Sequence, residues 1–538
     1  MMSDLVQSDS KSTRVARVLG ILAMIAVLLF ALALALTSLF ASARINPEDY
    51  SLLKIQLLRE NPLVNLLIAA VGIGLIALLG KIPVTKRSNL ILGGVVLVVL
   101  GLFGAMWVRS VRAFAESDGD VLIQICERLI AGDYASIAKS GEYLHYYMVR
   151  FPYQSGFLSY LEILVRLFGT TGVYPVARLI NVGLLVSAYA ALLLTTQRLF
   201  QSDRVTFVTI LLLCLNLQPI ISCTFIYGLI PALALVIWAI YFVVRYMQTG
   251  KKRNMIPVVV SLAIAVYLRS NTWIAIAAIG IVLLLHAIQQ KKLAPIWMIV
   301  VIIAACLPLP KMAQMFYEQR LDTSFGEGYP KSYWAAMSLQ KGWKATGWHV
   351  QEYQTMIEQT YGEDVAGIDM RARLDVQSGL SAFQKDPGTL GTYLLEKTVS
   401  QWDEPTFLSI WISKSVNTFG EPTSLARALY SDEFGSLFEL FTGKLIKVMY
   451  FGFAICAVVL LFRRTNEQLI LPIVILGGGL FHLIFEAKSQ YVLEYLPLML
   501  PLVAYGVSSL GRFVARPKKA KSAGEEKTDT PVGGGTAA

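Results

Sequence analysis

The chain has 538 residues, of which 55% are hydrophobic and only 15% are charged, and its formal net charge is +11. A soluble globular protein carries roughly 25% charged residues, so this chain has too little charge to cover a folded surface in water. Apolar runs longer than about 18 residues recur along its length, which predicts many membrane-spanning helices and excludes a soluble enzyme, a nucleic-acid-binding protein and a disordered scaffold.

The apolar runs predict twelve membrane spans. They lie near 17–40, 62–80, 89–108, 177–197, 205–222, 228–246, 255–268, 272–288, 294–310, 444–462, 468–485 and 494–511. The Lys and Arg residues of the short loops fall on one side, so the positive-inside rule places the N- and C-termini in the cytoplasm. The apolar run before Ala41-Ser42-Ala43 is too long for a signal peptide, so we favour an uncleaved anchor. The absence of an Asn-x-Ser/Thr sequon favours a bacterial plasma membrane.

The segment 154–168 is apolar enough to resemble a thirteenth span, but its length argues against this interpretation. About 15 residues at 1.5 Å each give roughly 23 Å, which is less than the bilayer core of about 30 Å. Glu162 and Arg166 also form an i,i+4 pair on one helix face. We therefore expect an amphipathic helix that lies in the membrane interface.

These assignments predict an all-α polytopic membrane protein with about twelve transmembrane helices, amphipathic in-plane helices and an extracytoplasmic helical domain. Its parts are a cytoplasmic N-terminus (1–16), three transmembrane helices (17–108), an outer loop with in-plane helices (109–176), transmembrane helices four to nine (177–310), the extracytoplasmic domain (311–443), transmembrane helices ten to twelve (444–511) and a basic, disordered cytoplasmic tail (512–538).

The first candidate site begins about ten residues after the third span, where Asp118 and Asp120 precede an amphipathic helix that Gly132 ends. One aspartate could simply cap this helix, because Asp is a preferred N-cap residue. Alternatively, a carboxylate at the membrane surface could take a proton from an acceptor hydroxyl. The Asp-x-Asp spacing also leaves open a bound divalent metal, although we expect no cofactor.

The outer loop resembles that of GT-C glycosyltransferases, a superfamily that includes the protein O-mannosyltransferases and the aminoarabinose transferase of lipid A. The resemblance covers roughly 109–511, and the first two spans look like an addition before it. It rests on SDGDVLIQICERLIAGDY, GEYLHYYMVRFPYQSG, LEILVRLFG and ARLIN, and later on KTVSQWDEPTF and EAKSQYVLEYLPLMLPL.

The resemblance implies an inverting enzyme that transfers a hexose or pentose from a polyprenyl-phosphate donor to an extracytoplasmic glycan, protein or lipid acceptor. Its catalytic acid is the first acidic residue of the outer loop. Measured back from the helix, this residue corresponds to Asp118, with Asp120 as the competitor. Gly119 stands where many relatives have a second acid. Gln490 stands where relatives often carry Arg, so a phosphate role at that position would fall to Lys488.

The departing lipid phosphate needs a cation near the interface, and Arg269 in YLRSNTW is the best candidate. An arginine that only reaches toward lipid headgroups is the alternative. The weaker basic candidates are Arg150, Lys331 and Lys488. The matching motifs add Tyr143, Tyr153, Gln154, Glu486 and Tyr491 as candidate substrate-binding residues. Trp402, Glu404 and Pro405 match a family run, and we expect them to support the outer domain.

Two other functions compete with the enzyme. A transporter or flippase of a lipid-linked substrate would place ionisable residues near the bilayer midplane, and the predicted spans have none there. A scaffold built on the 311–443 domain would leave the Asp118 loop unexplained. We therefore favour the glycosyltransferase.

Overall fold

The structure is a computed structural model that describes residues 11–49, 52–414 and 418–514. The predicted cytoplasmic N-terminus lies mostly outside the described residues, and the predicted tail lies outside them from residue 515 onward.

Helices make up most of the described chain, with one short hairpin near the start. The first elements are α1 (Lys11–Phe40), β1 (Ala41–Ile45), β2 (Ile55–Arg59), α2 (Pro62–Leu79) and α3 (Lys86–Ser110). The outer loop then forms α4 (Asp118–Ala131), α5 (Ala135–Ala138), α6 (Tyr143–Arg150) and a 3₁₀ turn (Pro152–Gln154), followed by α7 (Ser155–Phe200).

The middle of the chain is a series of apolar helices. They are α8 (Asp203–Leu215), α9 (Gln218–Ile221) with a 3₁₀ turn (Ser222–Thr224), α10 (Leu229–Thr249), a 3₁₀ turn (Lys252–Asn254), α11 (Met255–Leu268), α12 (Thr272–Gln290), α13 (Ala294–Cys306) and α14 (Leu309–Leu321).

The remaining elements form the outer domain and the last spans. The outer domain contains α15 (Lys331–Leu339), α16 (Gln351–Tyr361), α17 (Val365–Lys385), α18 (Pro387–Trp402), α19 (Ser409–Ser413) and α20 (Ser424–Tyr430). The last spans are α21 (Asp432–Phe462), a 3₁₀ turn (Glu467–Leu469), α22 (Ile470–Ile484), α23 (Ser489–Val492), a 3₁₀ turn (Leu493–Tyr495) and α24 (Leu496–Val514).

The protein is a multi-pass membrane protein by helix length and hydropathy, which confirms the predicted fold class. Among the described residues, ten helices are long and apolar enough to cross a membrane, or eleven if the bent pair α8 and α9 is one span. The count is lower than twelve because α11 has only 14 residues. At 1.5 Å per residue it measures about 21 Å, too short to cross a core of about 30 Å alone.

Helix α7 contains a sharp break that separates the outer loop from the following span. Gly169 has φ 75° and ψ 172°, a conformation that L-residues with a side chain rarely adopt. The residues before the break, 155–168, are those for which the sequence predicts an in-plane helix. The break lets this segment and the long apolar segment 170–200 run in different directions.

The hairpin β1–β2 is absent from the sequence prediction, which treats residues 41–61 as a connection. Its strands pair antiparallel from Ala41 with Arg59 to Ile45 with Ile55. The Ala43 N–H donates to the carbonyl of Asp403 at 3.0 Å, and the Ile55 N–H donates to that of Lys344 at 2.9 Å. The hairpin therefore braces the outer domain.

The core of the bundle joins the first helices to the last ones. Helix α1 packs against α21 and α22, and α21 packs against α24. The outer domain has its own smaller core, in which α15 packs against α17. The two regions meet above the outer ends of the spans, where the candidate site lies.

Candidate active site

Asp118 is the first residue of α4, and neither aspartate caps this helix. The N-cap residue is Ser117, which makes no capping hydrogen bond through its side chain and has φ 55° and ψ −132°. Asp120 accepts a hydrogen bond from Gln124 Nε2 at 2.7 Å. The capping interpretation is therefore wrong, and strained backbone at Ser117 directs the start of the helix.

Gly119 allows the start of α4 to lie directly on the loop between α9 and α10. A Cβ atom at this position would lie 2.4 Å from the carbonyl oxygen of Ile226. This contact explains why the chain has glycine at this position. It also brings Asp118 beside Tyr227, the next residue of the loop.

The Asp118 carboxyl is partly exposed but surrounded by protein. Burial raises its pKa above the ordinary value for aspartate, while the Lys488 ammonium and the Tyr147 hydroxyl lower it. Because burial dominates, the carboxyl takes up a proton more readily than a free aspartate does. A raised pKa suits a group that must accept a proton during a reaction.

Tyrosine hydroxyls surround Asp118. Burial, followed by the charge of Asp118, raises the pKa of Tyr147 well above its usual value and that of Tyr227 to about 12. The Asp118 charge also interacts electrostatically with Tyr153 and Tyr491. These phenols therefore remain protonated at neutral pH and can donate hydrogen bonds to a ligand.

An extended segment after α22 brings Glu486 and Lys488 to the same place. The Glu486 N–H donates to the Trp334 carbonyl at 3.0 Å and the Ala487 N–H to the Gly347 carbonyl at 3.1 Å. Glu486 is 8% exposed, and in the described part of the chain its Oε1 has no hydrogen-bond partner. Burial raises its pKa, Lys488 lowers it and Asp118 raises it further.

Arg269 is the C-cap residue that follows α11, and it is only 7% exposed. Its Nη2 lies 3.8 Å from Glu494 Oε2, and its guanidinium lies 5.6 Å from the ring centroid of Tyr227. Its Nε and Nη1 have no hydrogen-bond partner among the described residues. A buried guanidinium with two free donors is unfavourable unless a ligand satisfies it, and an anion would do so.

His482 is a polar residue of this region that the sequence did not single out. It is fully buried, and its two ring nitrogens have no partner within the described ranges. The centroids of the His482 and Tyr491 rings lie 6.0 Å apart, and the charge of Arg269 interacts with the His482 ring. His482 lies outside the sequence stretches that carry the candidate residues, so no motif in the sequence selects it.

The structure divides the other candidates into two groups. Gln154 donates to the Tyr227 hydroxyl at 2.8 Å, and Tyr143 is 63% exposed within range of both Asp118 and Asp120. Arg150 instead pairs with Glu358 at 3.0 Å. Lys331 is exposed at the start of α15. Gln154 and Tyr143 therefore belong to the cluster around Asp118. Arg150 borders this cluster, because its charge lowers the pKa of Tyr143.

Glu404 joins the outer domain to the last spans. Its carboxylate accepts hydrogen bonds from the Thr406 and Leu408 N–H groups at 2.9 and 2.7 Å, and from Ser489 Oγ at 2.9 Å. These contacts occupy both oxygens. They agree with the supporting role expected for this residue.

The described residues contain no group of three or more His, Cys, Asp or Glu side chains that could hold a metal ion. Asp118 and Asp120 alone would offer two carboxylates to a divalent metal.

Comparison with known proteins gives distant structural likenesses to solved structures. No protein-family model and no curated protein matches the chain. A solved structure of the archaeal oligosaccharyltransferase AglB from Archaeoglobus fulgidus, in complex with an inhibitory peptide and a dolichol-phosphate, matches with a TM-score of 0.38 and 13% identity. The match covers 78% of this chain and 52% of that chain, so this protein spans about half of the length of its structural neighbour.

Proposed function

We propose that the protein is an inverting membrane glycosyltransferase that moves a sugar from a polyprenyl-phosphate donor to a hydroxyl group of an extracytoplasmic acceptor. The observation that carries this proposal is the arrangement of a carboxyl and a cation around one tyrosine. Asp118 is partly open to solvent, Arg269 is buried with two free donors, and both act on Tyr227. A base and an anion-binding group are the two parts that this reaction requires.

In the proposed reaction, the Asp118 carboxylate takes the proton of the acceptor hydroxyl. The acceptor oxygen attacks the anomeric carbon and forms the new glycosidic bond, while the bond between that carbon and the phosphate oxygen breaks. The electron pair of the broken bond leaves with the lipid phosphate. One displacement at the anomeric carbon inverts its configuration.

Arg269 would stabilise the charge that develops on the phosphate. Its Nε and Nη1 are directed N–H donors, and a guanidinium can bind two phosphate oxygens at once. Both nitrogens are shielded from solvent, so we expect donor binding to separate the adjoining ends of α11 and α12. The lipid tail would enter laterally between the spans.

The outer side of a bacterial plasma membrane suits this chemistry, because a donor there must be carried by lipid. The positive-inside distribution of Lys and Arg supports an outer location for α4 and for the 311–443 domain. No cofactor is required by the proposed reaction. Its partners would be the lipid-linked donor, the acceptor and the bilayer.

The test is transfer of labelled sugar from a panel of polyprenyl-phosphate donors in membranes that contain the wild type or Asp118→Asn. Loss of a general base is expected to lower the rate by about 10²–10⁴-fold while donor binding is retained. Asp120→Asn is the matched control, because Asp120 lies two residues away and is held by Gln124. We expect it to retain most of the activity.

A wild-type rate in Asp118→Asn would contradict the proposal that Asp118 is the base. If Asp120→Asn were inactive in the same assay, Asp120 would be the base instead. Donor movement across the membrane without sugar transfer would instead support the transporter.

A further inference from the structure

Two lysines that come from distant parts of the chain meet on the outer-domain side of Asp118. Lys344 precedes the buried Trp348, and Lys488 follows Glu486 in the extended segment. The two backbone segments are joined by a hydrogen bond, which the Ala487 N–H donates to the Gly347 carbonyl. Trp348 fixes the first of them, because its Nε1 donates to Ser400 Oγ at 3.2 Å.

The two ammonium groups are partly exposed and lack a close counter-ion. In the described ranges, neither lies within 4.0 Å of a carboxylate oxygen. Lys344 lies over the ring of Trp343 at 5.3 Å. Burial and the charge of Lys488 together lower the pKa of Lys344 to about 8, while Glu486 and Glu352 raise it. Two like charges held near each other attract an anion into the space between them.

Glu486 and His349 do not neutralise this pair. Burial raises the pKa of Glu486, which favours its uncharged form. His349 is the third basic side chain here, and burial followed by the charge of Lys488 lowers its pKa to about 4, so it is neutral at pH 7. In the part of the chain that the structure describes, the pair therefore has no carboxylate partner within 4.0 Å beside the reacting groups.

The position of the pair distinguishes it from Arg269. Lys488 acts on the Asp118 carboxyl, and Lys344 comes from the outer domain. Arg269 lies at the end of an apolar helix, where a lipid-borne phosphate would arrive. Because the base must face the acceptor, the lysine pair lies on the acceptor side of the site.

We propose that Lys344 and Lys488 bind an anionic group of the acceptor, a phosphodiester or a carboxylate, close to the hydroxyl that receives the sugar. The inference rests on the proposed function and makes it more specific. The natural acceptor is then an acidic polymer or glycan, and its charge positions the hydroxyl beside Asp118.

The test compares acceptors that differ only in charge, in nanodiscs of zwitterionic lipid. One pair is an oligomer of glycerol phosphate and its neutral glycerol counterpart. A second pair is an oligosaccharide that ends in glucuronate and one that ends in glucose. The measured quantity is kcat/KM for the charged acceptor divided by kcat/KM for the neutral one.

The wild type is expected to favour the charged acceptors. Lys344→Gln and Lys488→Gln should each lower the ratio by about tenfold or more, because each removes a charge-assisted hydrogen bond. Lys344→Arg keeps the charge and should restore most of the ratio. Lys385→Gln is the control, since Lys385 is an exposed lysine at the end of α17 in the same domain.

An unchanged ratio in both glutamine variants would overturn the inference. So would a rise in donor KM with no change in the ratio, because the lysines would then bind the donor. If adding anionic lipid lowered transfer only in proteins that retain both lysines, a lipid headgroup would be their ligand instead. If transfer to neutral acceptors requires Asp118, the proposed function is still supported. If the wild type transfers sugar to none of the acceptors, the proposed function is contradicted.

Discussion

Asp118 obtains its properties from two opposing neighbours, protein atoms that exclude water and the ammonium group of Lys488. Burial makes the charged form of the carboxyl less favourable, and the nearby positive charge makes it more favourable. Together they hold a carboxyl that is more basic than a solvated aspartate. Lys488 therefore influences the base even if it never contacts the donor.

The pH dependence of sugar transfer is the first prediction at this scale. Asp118 accepts a proton only in its ionised form, so kcat/KM should fall as the pH falls through its pKa. Lys488→Gln removes a charge that lowers this pKa, so the acid limb of the profile should move to higher pH. The measurement is kcat/KM against pH with a neutral acceptor, and Lys385→Gln should leave the limb unchanged. A limb that stays in place or moves to lower pH would refute this electrostatic coupling.

At the scale of elements, the break in α7 determines where the outer loop ends. Gln154, which donates to Tyr227, immediately precedes the first segment of this helix. An unbroken helix would carry residues 155–168 along the axis of 170–200 and away from α4, against which α7 packs. The site therefore depends on the conformation of Gly169 as well as on its own side chains.

Substitution of Gly169 tests this dependence. Gly169→Ala places a Cβ on backbone with φ 75° and ψ 172°, which should cost about 1–3 kcal/mol in the free energy of unfolding. Gly183→Ala in the same helix is the control, because no atom lies within 4 Å of the added Cβ. That variant should be neutral or slightly stabilised, since alanine favours helix over glycine. Denaturant unfolding in detergent measures both, and equal midpoints would argue against strain at Gly169.

The whole molecule joins its first and last segments around the site. Residues before α3, which the sequence suggests are an addition to a shared core, pack against α21 and brace the outer domain. Trp348 lies in a small apolar cluster with Ile45, Leu53 and Leu408. The hairpin and the segment that carries Lys344 thus form one structural unit.

Truncation of Trp348 should disrupt this unit. Trp348→Ala removes a fully buried indole and is expected to lower the free energy of unfolding by about 3–5 kcal/mol. Trp297→Ala, at a position that is 66% exposed on α13, is the control and should have a much smaller effect. Thermal unfolding of the two variants is the measurement. A similar loss in both would contradict the bracing role of the hairpin.

Much of the fold follows from the sequence, because apolar length and charge are local signals. These local signals predict the spans, the outer helix from Asp118 and the break before the fourth span. The hairpin does not, because ASARI and IQLLR lack a clear alternation and are held by contacts with Asp403 and Lys344. The short α11 was counted as a full span because an apolar run does not reveal where its helix ends.

The candidate site was predictable where a motif carries the residues. Asp118, Glu486 and Lys488 come from stretches that resemble a known superfamily. Lys344 and His482 carry no such signal, since Lys488 is far from Lys344 along the chain and Arg269 is far from His482. These residues are identified by their proximity to the site in three dimensions. No local pattern in one sequence encodes that proximity.

The packing of α1 against α21 has a consequence for the biosynthesis of the protein. The Lys447 ammonium donates to the carbonyl of Ser38 at 2.8 Å, across 409 positions of the chain. At about 5–20 residues per second, a ribosome needs roughly 20–80 s to make the intervening segment. Helix α1 must therefore wait in the bilayer until α21 has been translated, so the packing that surrounds the site forms long after α1 is inserted.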